Sequence, residues 1–192
     1  AENCWHMVLT TRNDNTQFLV VGPWTTANAL SYAAGAEILW IRFNLGTFMP
    51  HRPTRDFVNT KTPLPKAASQ SFCLTASAWQ YPNFENADTF VDKLVRDGVL
   101  AWDPVVNSVL HHQRHELSSR TVRHRFLHAT GLSQSQIEQV DRARRAESLL
   151  QQGTSILDTV DEAGYSDQPH LTRSLKQWIG HTPGQLMRLS AP

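Results

Sequence analysis

The sequence contains few cysteines and no long apolar run. Its 192 residues include two cysteines, Cys4 and Cys73, too few and too widely spaced for a disulfide framework or a cysteine-based structural zinc site. No apolar run approaches the roughly 18 to 20 residues of a membrane span, and no charged-then-apolar signal segment opens the chain. These absences predict a cytoplasmic protein with no membrane partner.

An excess of charge of one sign is also missing. Eighteen Lys and Arg stand against seventeen Asp and Glu, a formal net charge of +1, so the total charge indicates no particular partner. Residues 1–103 hold eight basic and nine acidic residues, whereas residues 104–192 hold ten and eight, with seven of the nine histidines. An anion is therefore expected to bind in the C-terminal half, because histidine can add positive charge near neutral pH.

Residues 1–84 have the pattern of a β-rich domain. Short β-branched and aromatic runs predict strands at residues 5–11, 16–21 and 37–43, and Asn, Asp, Gly and Pro lie between them. Four prolines between Met49 and Ser71 exclude a central strand or an uninterrupted helix, so a surface connection is expected there. Because Ala1 is not an initiator Met and a strand follows almost at once, we expect a processed or truncated chain.

Residues 85–192 have the apolar period of helices. Helices are predicted from Ala87 to Asp97, and then over residues 104–110, 119–129, 133–152, 155–163, 167–179 and 183–188. Their starts carry capping residues, namely Asp103 before Pro104, Ser118 or Ser119, the Ser133–Gln136 box, Ser155, Ser166 or Asp167, and the Thr182–Gln185 box. The strand pattern of residues 1–84 and the helical period of residues 85–192 together predict an α+β chain with an all-helical second domain.

Two of these helices form a helix-turn-helix pattern. Residues 155–163 and 167–179 are joined around Gly164, whose freedom at positive φ permits the turn. The second helix has one face without large apolar residues: Gln168, His170, Thr172, Arg173 and Lys176. Amides, hydroxyls and Arg suit base edges, and Lys or His suits phosphate. The residues alone fit a DNA-reading helix or an ordinary solvated helical hairpin.

A family resemblance favours the first interpretation. The Ala163-Gly164-Tyr165 turn, Leu171-x-Arg173 and Gly180-x-Thr182-Pro183 closely resemble the C-terminal signature of AraC/XylS-type transcription regulators. The resemblance covers about 100 residues, from Ala87 to Arg188. It implies a DNA-binding domain of seven helices with two helix-turn-helix units, joined here by the long helix at 133–152. That helix could place both reading helices near the roughly 34 Å repeat of DNA, in successive major grooves.

The resemblance also assigns DNA contacts. The stretch Arg120–Phe126 resembles the first reading helix, although His124 stands where the family usually has Arg, and the turn at 111–117 is longer than the family's. We therefore expect the first unit to bind more weakly or mainly to hold phosphate. Base reading is assigned to Gln168, His170, Thr172, Arg173, Arg120, Thr121, Arg123 and His124, and phosphate binding to Arg125, Lys176, Ser119 and Ser166. Arg142, Arg144 and Arg145, on the long helix, are expected to pair with neighbouring carboxylates.

In these regulators the domain before the DNA-binding part is often a cupin-like β-barrel that binds an effector or mediates dimerisation. Residues 1–84 are therefore predicted to be a partial cupin-like sensor or dimerisation domain, and residues 85–192 the double helix-turn-helix domain. The resulting hypothesis is a non-enzymatic transcription regulator that binds double-stranded DNA without a cofactor. A small-molecule effector and a homodimer are left open.

Two other classes of function are also left open. One is a metal-dependent cupin-like enzyme that uses His6 and His51, with the helical half as an interaction module. A further polar tract at His111, His112 and His115 is conceivable as a metal site, but no carboxylate-histidine motif supports it. The other is a protein-binding adaptor without DNA contact. The sequence does not indicate the operator, the effector, or activation as against repression.

Overall fold

The computed structural model describes residues 1–13, 15–28, 31–114 and 116–189, so Asp14 of the first predicted turn and His115 of the histidine tract lie outside the described residues. The chain divides into two compact units. The sheet unit comprises Cys4–Pro23 and Leu30–Ser133, and the C-terminal unit comprises Ala1–Asn3, Trp24–Ala29 and Gln134–Pro192. The functional division at residues 84/85 stays a prediction.

Nine strands lie in the described part of the chain. They are β1 (His6–Arg12), β2 (Asn15–Val21), β3 (Glu37–Arg42), β4 (Thr47–Phe48), β5 (Lys61–Pro63), β6 (Lys66–Ala68), β7 (Ser71–Leu74), β8 (Ser77–Gln80) and β9 (Ala101–Trp102). Strands β3-β1-β2-β5 form an antiparallel sheet in that order, β6-β7-β8 form a second sheet, and β4 pairs with β9. The three strands expected before residue 44 are confirmed, and β7, β8 and β9 were not predicted.

The stretch from Met49 to Ser71 is not a simple surface connection, so that expectation is wrong. It contains a 3-10 helix, Thr54–Phe57, whose two end residues are buried, and the strands β5 and β6. Pro63 is tolerated in β5 because this strand lies at an edge of its sheet, where a missing N–H is harmless. Apolar spacing could not reveal this, because the burial comes from contacts that are distant in sequence.

Seven α-helices are described. They are α1 (Ala87–Arg96), α2 (Pro104–Leu110), α3 (Ser119–Thr130), α4 (Gln134–Gln151), α5 (Ile156–Glu162), α6 (Gln168–Trp178) and α7 (Pro183–Leu189). The side chains of Asp103, Ser118, Ser155 and Asp167 accept hydrogen bonds from the first-turn amides of α2, α3, α5 and α6. Thr182 and Gln185 bond reciprocally, as a capping box requires. The predicted helix starts and the α+β class are therefore confirmed.

Each unit has an apolar core of its own. In the sheet unit, Phe18 and Phe72 pack edge to face at 4.7 Å between ring centroids, and Phe90 and Leu94 of α1 join them. In the C-terminal unit, Ala146 and Leu150 of α4 pack with residues of α5, α6 and α7, among them Val160, Leu171, Leu175 and Leu186. None of the described helices is both long and apolar enough to cross a membrane.

Candidate nucleic-acid interface

The second helix-turn-helix unit consists of α5 and α6. Gly164 has a φ of +73°, a left-handed conformation that permits the turn between them. Leu171 and Leu175 of α6 are fully buried, and Trp178 is packed against Val140 and Ala143 of α4. Trp178 is thus a core residue, as the amphipathic spacing indicates. These three anchors fix which face of α6 points to solvent.

The outward face of α6 carries the predicted DNA-binding side chains. Gln168, Arg173 and Lys176 are exposed, whereas His170 and Thr172 are half-buried at its two borders. Within the part of the chain that the structure describes, neither Arg173 nor Lys176 forms an ion pair. Both cations are therefore available to an external anion.

Two polar residues at the start of α6 are linked to each other. The Oγ atom of Ser166 lies 3.1 Å from Nδ1 of His170, and the carboxylate of Asp167 accepts a hydrogen bond from the His170 amide. The His170 ring also packs edge-on against Tyr165, with 5.1 Å between centroids. Ser166 and His170, predicted for phosphate and base contacts respectively, are consequently held in one orientation.

The arginines of α4 do not behave as expected. Nη2 of Arg144 lies 2.7 Å from Oε2 of Glu2 and donates to the carbonyl of Ala1 at 2.9 Å. The ion pair of Arg144 is therefore with a residue distant in sequence and not within its own helix. Within the helix its charge only opposes the burial that raises the pKa of Asp141. Arg142 has no ion pair among the described residues, and its guanidinium lies over the ring of Tyr165 at 5.6 Å from the centroid.

The first predicted reading helix, α3, also presents cations to solvent. Ser119, Arg120, Thr121, Arg123 and His124 are exposed, and Arg120 and Arg123 form no ion pair within the described chain. The hydroxyl of Thr121 is 2.9 Å from that of Ser118, the capping residue of α3. Thr121 therefore already takes part in the helix cap, whereas the two arginines are available.

Arg125 has a different environment from its neighbours. Its guanidinium makes two hydrogen bonds to the carboxylate of Asp103, at 2.9 Å and 2.7 Å, and these bonds raise the pKa of Arg125. The same carboxylate accepts from the amide of Val105 and caps α2. This bidentate pair joins α2 to α3. Phosphate binding by Arg125 stays a prediction. A phosphate would have to compete with Asp103 for the Arg125 guanidinium.

We expect the Asp103→Ala variant to lose about 1 to 2 kcal/mol in the free energy of unfolding of the sheet unit, because the cap of α2 is lost. The Asp103→Asn variant retains a capping oxygen and loses the charge and one of the two acceptors of Arg125, so its loss should be smaller because the cap remains. Urea denaturation of both variants measures this difference. Equal losses for the two variants would show that the ion pair, and not the cap, dominates.

The far end of α3 is anchored to the 3-10 helix of the same unit. The hydroxyl of Thr54 donates to the carbonyl of Ala129 at 3.0 Å, and both residues are buried. Gly131 ends α3 with a φ of +71°. A Cβ added to Gly131 would be only 2.9 Å from the carbonyl carbon of Thr54, so α3 lies very close to the 3-10 helix here. The orientation of α3 is thus set by a segment that was not predicted to be structured.

The metal-dependent alternative needs a cluster of ligand side chains. Across the described ranges, which omit His115, no three His, Cys, Asp or Glu side chains are grouped as a metal site would require. His6 is buried in β1 beside Trp40, with 5.0 Å between ring centroids, and His51 is exposed. Neither histidine is part of a ligand cluster in these ranges.

Comparison with known families identifies the C-terminal region. The family model described as a helix-turn-helix domain matches residues 113–189, from the turn before α3 to the end of α7. These residues therefore form a DNA-binding helix-turn-helix domain. More particularly, the domain is of the AraC type, found in transcription regulators. Neither the curated proteins nor the solved structures gave a significant match, and nothing in the comparisons supports a cupin-like first domain.

Proposed function

We propose that this protein regulates transcription by reading a specific DNA sequence with α6, assisted by α3, in successive major grooves. The observation that carries the proposal is the difference between two sets of arginines. Arg125 and Arg144 are held by Asp103 and Glu2, whereas Arg120, Arg123 and Arg173 are exposed and have no ion pair in the described chain. All three of these exposed arginines are among the side chains that the family resemblance assigns to base contacts.

The chemistry of the α6 face suits sequence reading. An exposed guanidinium can donate two hydrogen bonds to the O6 and N7 atoms of guanine, and an exposed amide such as that of Gln168 can pair with adenine. Lys176 is a single charge on a flexible stem and suits a phosphate, which carries no sequence information. The unit therefore offers both kinds of contact that specific binding needs.

Arg173→Ala is expected to weaken binding to the selected operator by about 1 to 3 kcal/mol and to relax the preference at one base position. Lys176→Ala should weaken selected and random duplexes alike and lower the salt dependence. Arg12→Ala, which removes an exposed charge from β1, is the control and should change neither.

The operator is obtained first, by selecting a random duplex library with the wild-type chain at two salt concentrations. Two half-elements about one helical turn apart would support reading by both α3 and α6. One short element would implicate α6 alone. An equal loss on selected and random DNA for Arg173→Ala would contradict its base-reading role. Absence of any enriched sequence would contradict the proposed function for this chain.

Effector control and dimerisation belong to the same proposal and rest on the family resemblance. The sheet unit has an open cleft of about 560 Å³ that could accept a small molecule. His51, Lys93 and Asp97 supply its ionisable groups, and the indole of Trp79 forms part of its wall. The ionisable groups offer hydrogen-bonding contacts to a polar ligand.

A further inference from the structure

A cleft of about 350 Å³ lies between α4 and α6 in the C-terminal unit. Its walls carry the guanidiniums of Arg142 and Arg173, the amides of Gln139 and Gln177, the imidazole of His170 and the hydroxyl of Ser174. None of the described residues that line it is a carboxylate. A concave site with two positive charges, several hydrogen-bond donors and no negative charge suits an anion.

Arg142 is held in this cleft before any ligand arrives. Its guanidinium lies over the ring of Tyr165, and the Tyr165 hydroxyl is 2.9 Å from that of Ser174 on α6. Burial raises the pKa of Tyr165, so the ring is a neutral phenol at neutral pH and does not neutralise the arginine. Arg142 is half-buried and has no ion pair among the described residues. The planar guanidinium of an arginine can donate two parallel hydrogen bonds to one anion.

We infer that this cleft binds a phosphodiester of the DNA backbone and that Arg142 and Gln139 of α4 contact it directly. The inference rests on the proposed DNA-binding function. Arg173 belongs both to the cleft and to the outward face of α6, so a duplex that Arg173 reads passes the mouth of the cleft. Helix α4 then contributes affinity as well as linking the two helix-turn-helix units.

Arg142→Ala tests this contact in the full chain, with Arg145→Ala as a control because Arg145 is exposed on the same helix and does not line the cleft. Removal of one phosphate contact should raise the Kd for the selected and the random duplex by about fivefold at physiological salt, and lower the salt slope by about one. Arg145→Ala should leave both values close to those of wild type. Arg142→Lys should give an intermediate Kd, because it keeps the charge and loses the second hydrogen bond.

A second variant keeps the test valid if Arg142→Ala perturbs folding. Gln139→Glu keeps both Arg142 and Tyr165 and adds a negative charge to the cleft that can pair with Arg142, so it should weaken binding to both duplexes. Gln151→Glu makes the same charge change at the exposed end of α4 and should have little effect. Thermal melting of each variant shows that the chain is folded in the binding assay.

The outcomes separate this inference from the function on which it rests. Unchanged Kd and salt slope in Arg142→Ala and Gln139→Glu, with Arg173→Ala still defective, would overturn the cleft contact and leave the proposed function standing. The anion in the cleft could also be a free phosphate ion instead of a DNA phosphodiester. Titration of inorganic phosphate into the wild-type chain distinguishes these two sources. Saturable phosphate binding that needs Arg142, together with unchanged DNA affinity in Arg142→Ala, would assign the cleft to a free anion instead. Failure of the wild-type chain to bind any duplex would overturn the function itself.

Discussion

Leu171→Ala is expected to lower the free energy of unfolding of the C-terminal unit by about 2 to 5 kcal/mol. The Leu171 side chain is fully buried and belongs to the core formed with Val160, Leu175 and Leu186. The variant loses the transfer free energy of its methyl groups and leaves a cavity that the neighbouring helices fill only in part. Since domains of this size are stable by about 5 to 15 kcal/mol, α6 would lose much of its support and specific DNA binding would weaken with it.

Leu157→Ala is the matched control for this prediction. It makes the same chemical change in α5 of the same unit, at a side chain that is 70% exposed. A change within about 0.5 kcal/mol is expected there, because no core contact is lost. Urea denaturation followed by far-ultraviolet circular dichroism gives both values. Similar losses in the two variants would show that α6 is not packed through Leu171 as the structure describes.

Gly131→Ala is expected to cost about 2 to 5 kcal/mol in the sheet unit, for two separate reasons. An alanine at a φ of +71° is strained by about 1 to 2 kcal/mol. Its Cβ would in addition be 2.9 Å from the backbone of Thr54 and 2.9 Å from Cγ2 of Val58, and overpacking of this kind costs about 1 to 3 kcal/mol. Backbone cannot rotate away as a flexible side chain can, so α3 must shift.

Gly98→Ala isolates the conformational part of this effect. Gly98 lies in the same unit at the end of α1, its φ is also +71°, and no atom lies within 4 Å of the added Cβ. This variant should show the conformational strain alone, about 1 to 2 kcal/mol. The difference between the two free energies of unfolding therefore measures how tightly α3 is packed against the 3-10 helix. A difference near zero would refute that packing.

The second helix-turn-helix unit could be read from the sequence almost completely. The spacing of Leu171, Leu175 and Trp178 gave the buried face of α6, and Asp167 marked its start. Because an amphipathic helix buries one stripe, the opposite face follows without knowledge of its partners. The exposed positions of Gln168, Arg173 and Lys176 agree with that reasoning, while their contacts with DNA stay predictions.

The partners of individual arginines could not be read in the same way. Arg125 and Arg123 belong to one basic cluster in the sequence, yet Asp103 holds Arg125 and leaves Arg123 exposed. Arg144 has acidic residues at helical spacing and pairs instead with Glu2. An ion pair depends on where two chain segments meet, and local spacing carries no information on that. The arginine–tyrosine contact in the α4–α6 cleft escaped sequence reasoning for the same reason.

The sequence by itself determined the helices, their caps, the first three strands and the AraC-type domain. The helices, caps and strands rest on periodicity and capping, which act over a few neighbouring residues. The AraC-type domain rests on the resemblance of its signature residues to that family. Tertiary structure alone decided that Thr54 and Phe57, within the proline-rich stretch, are buried and that Asp103 holds Arg125. It also decided that Arg142 lies against Tyr165 in a cleft whose described lining residues include no carboxylate. Burial and pairing of this kind require residues far apart in the chain to meet, so only the folded chain specifies which charges remain for DNA.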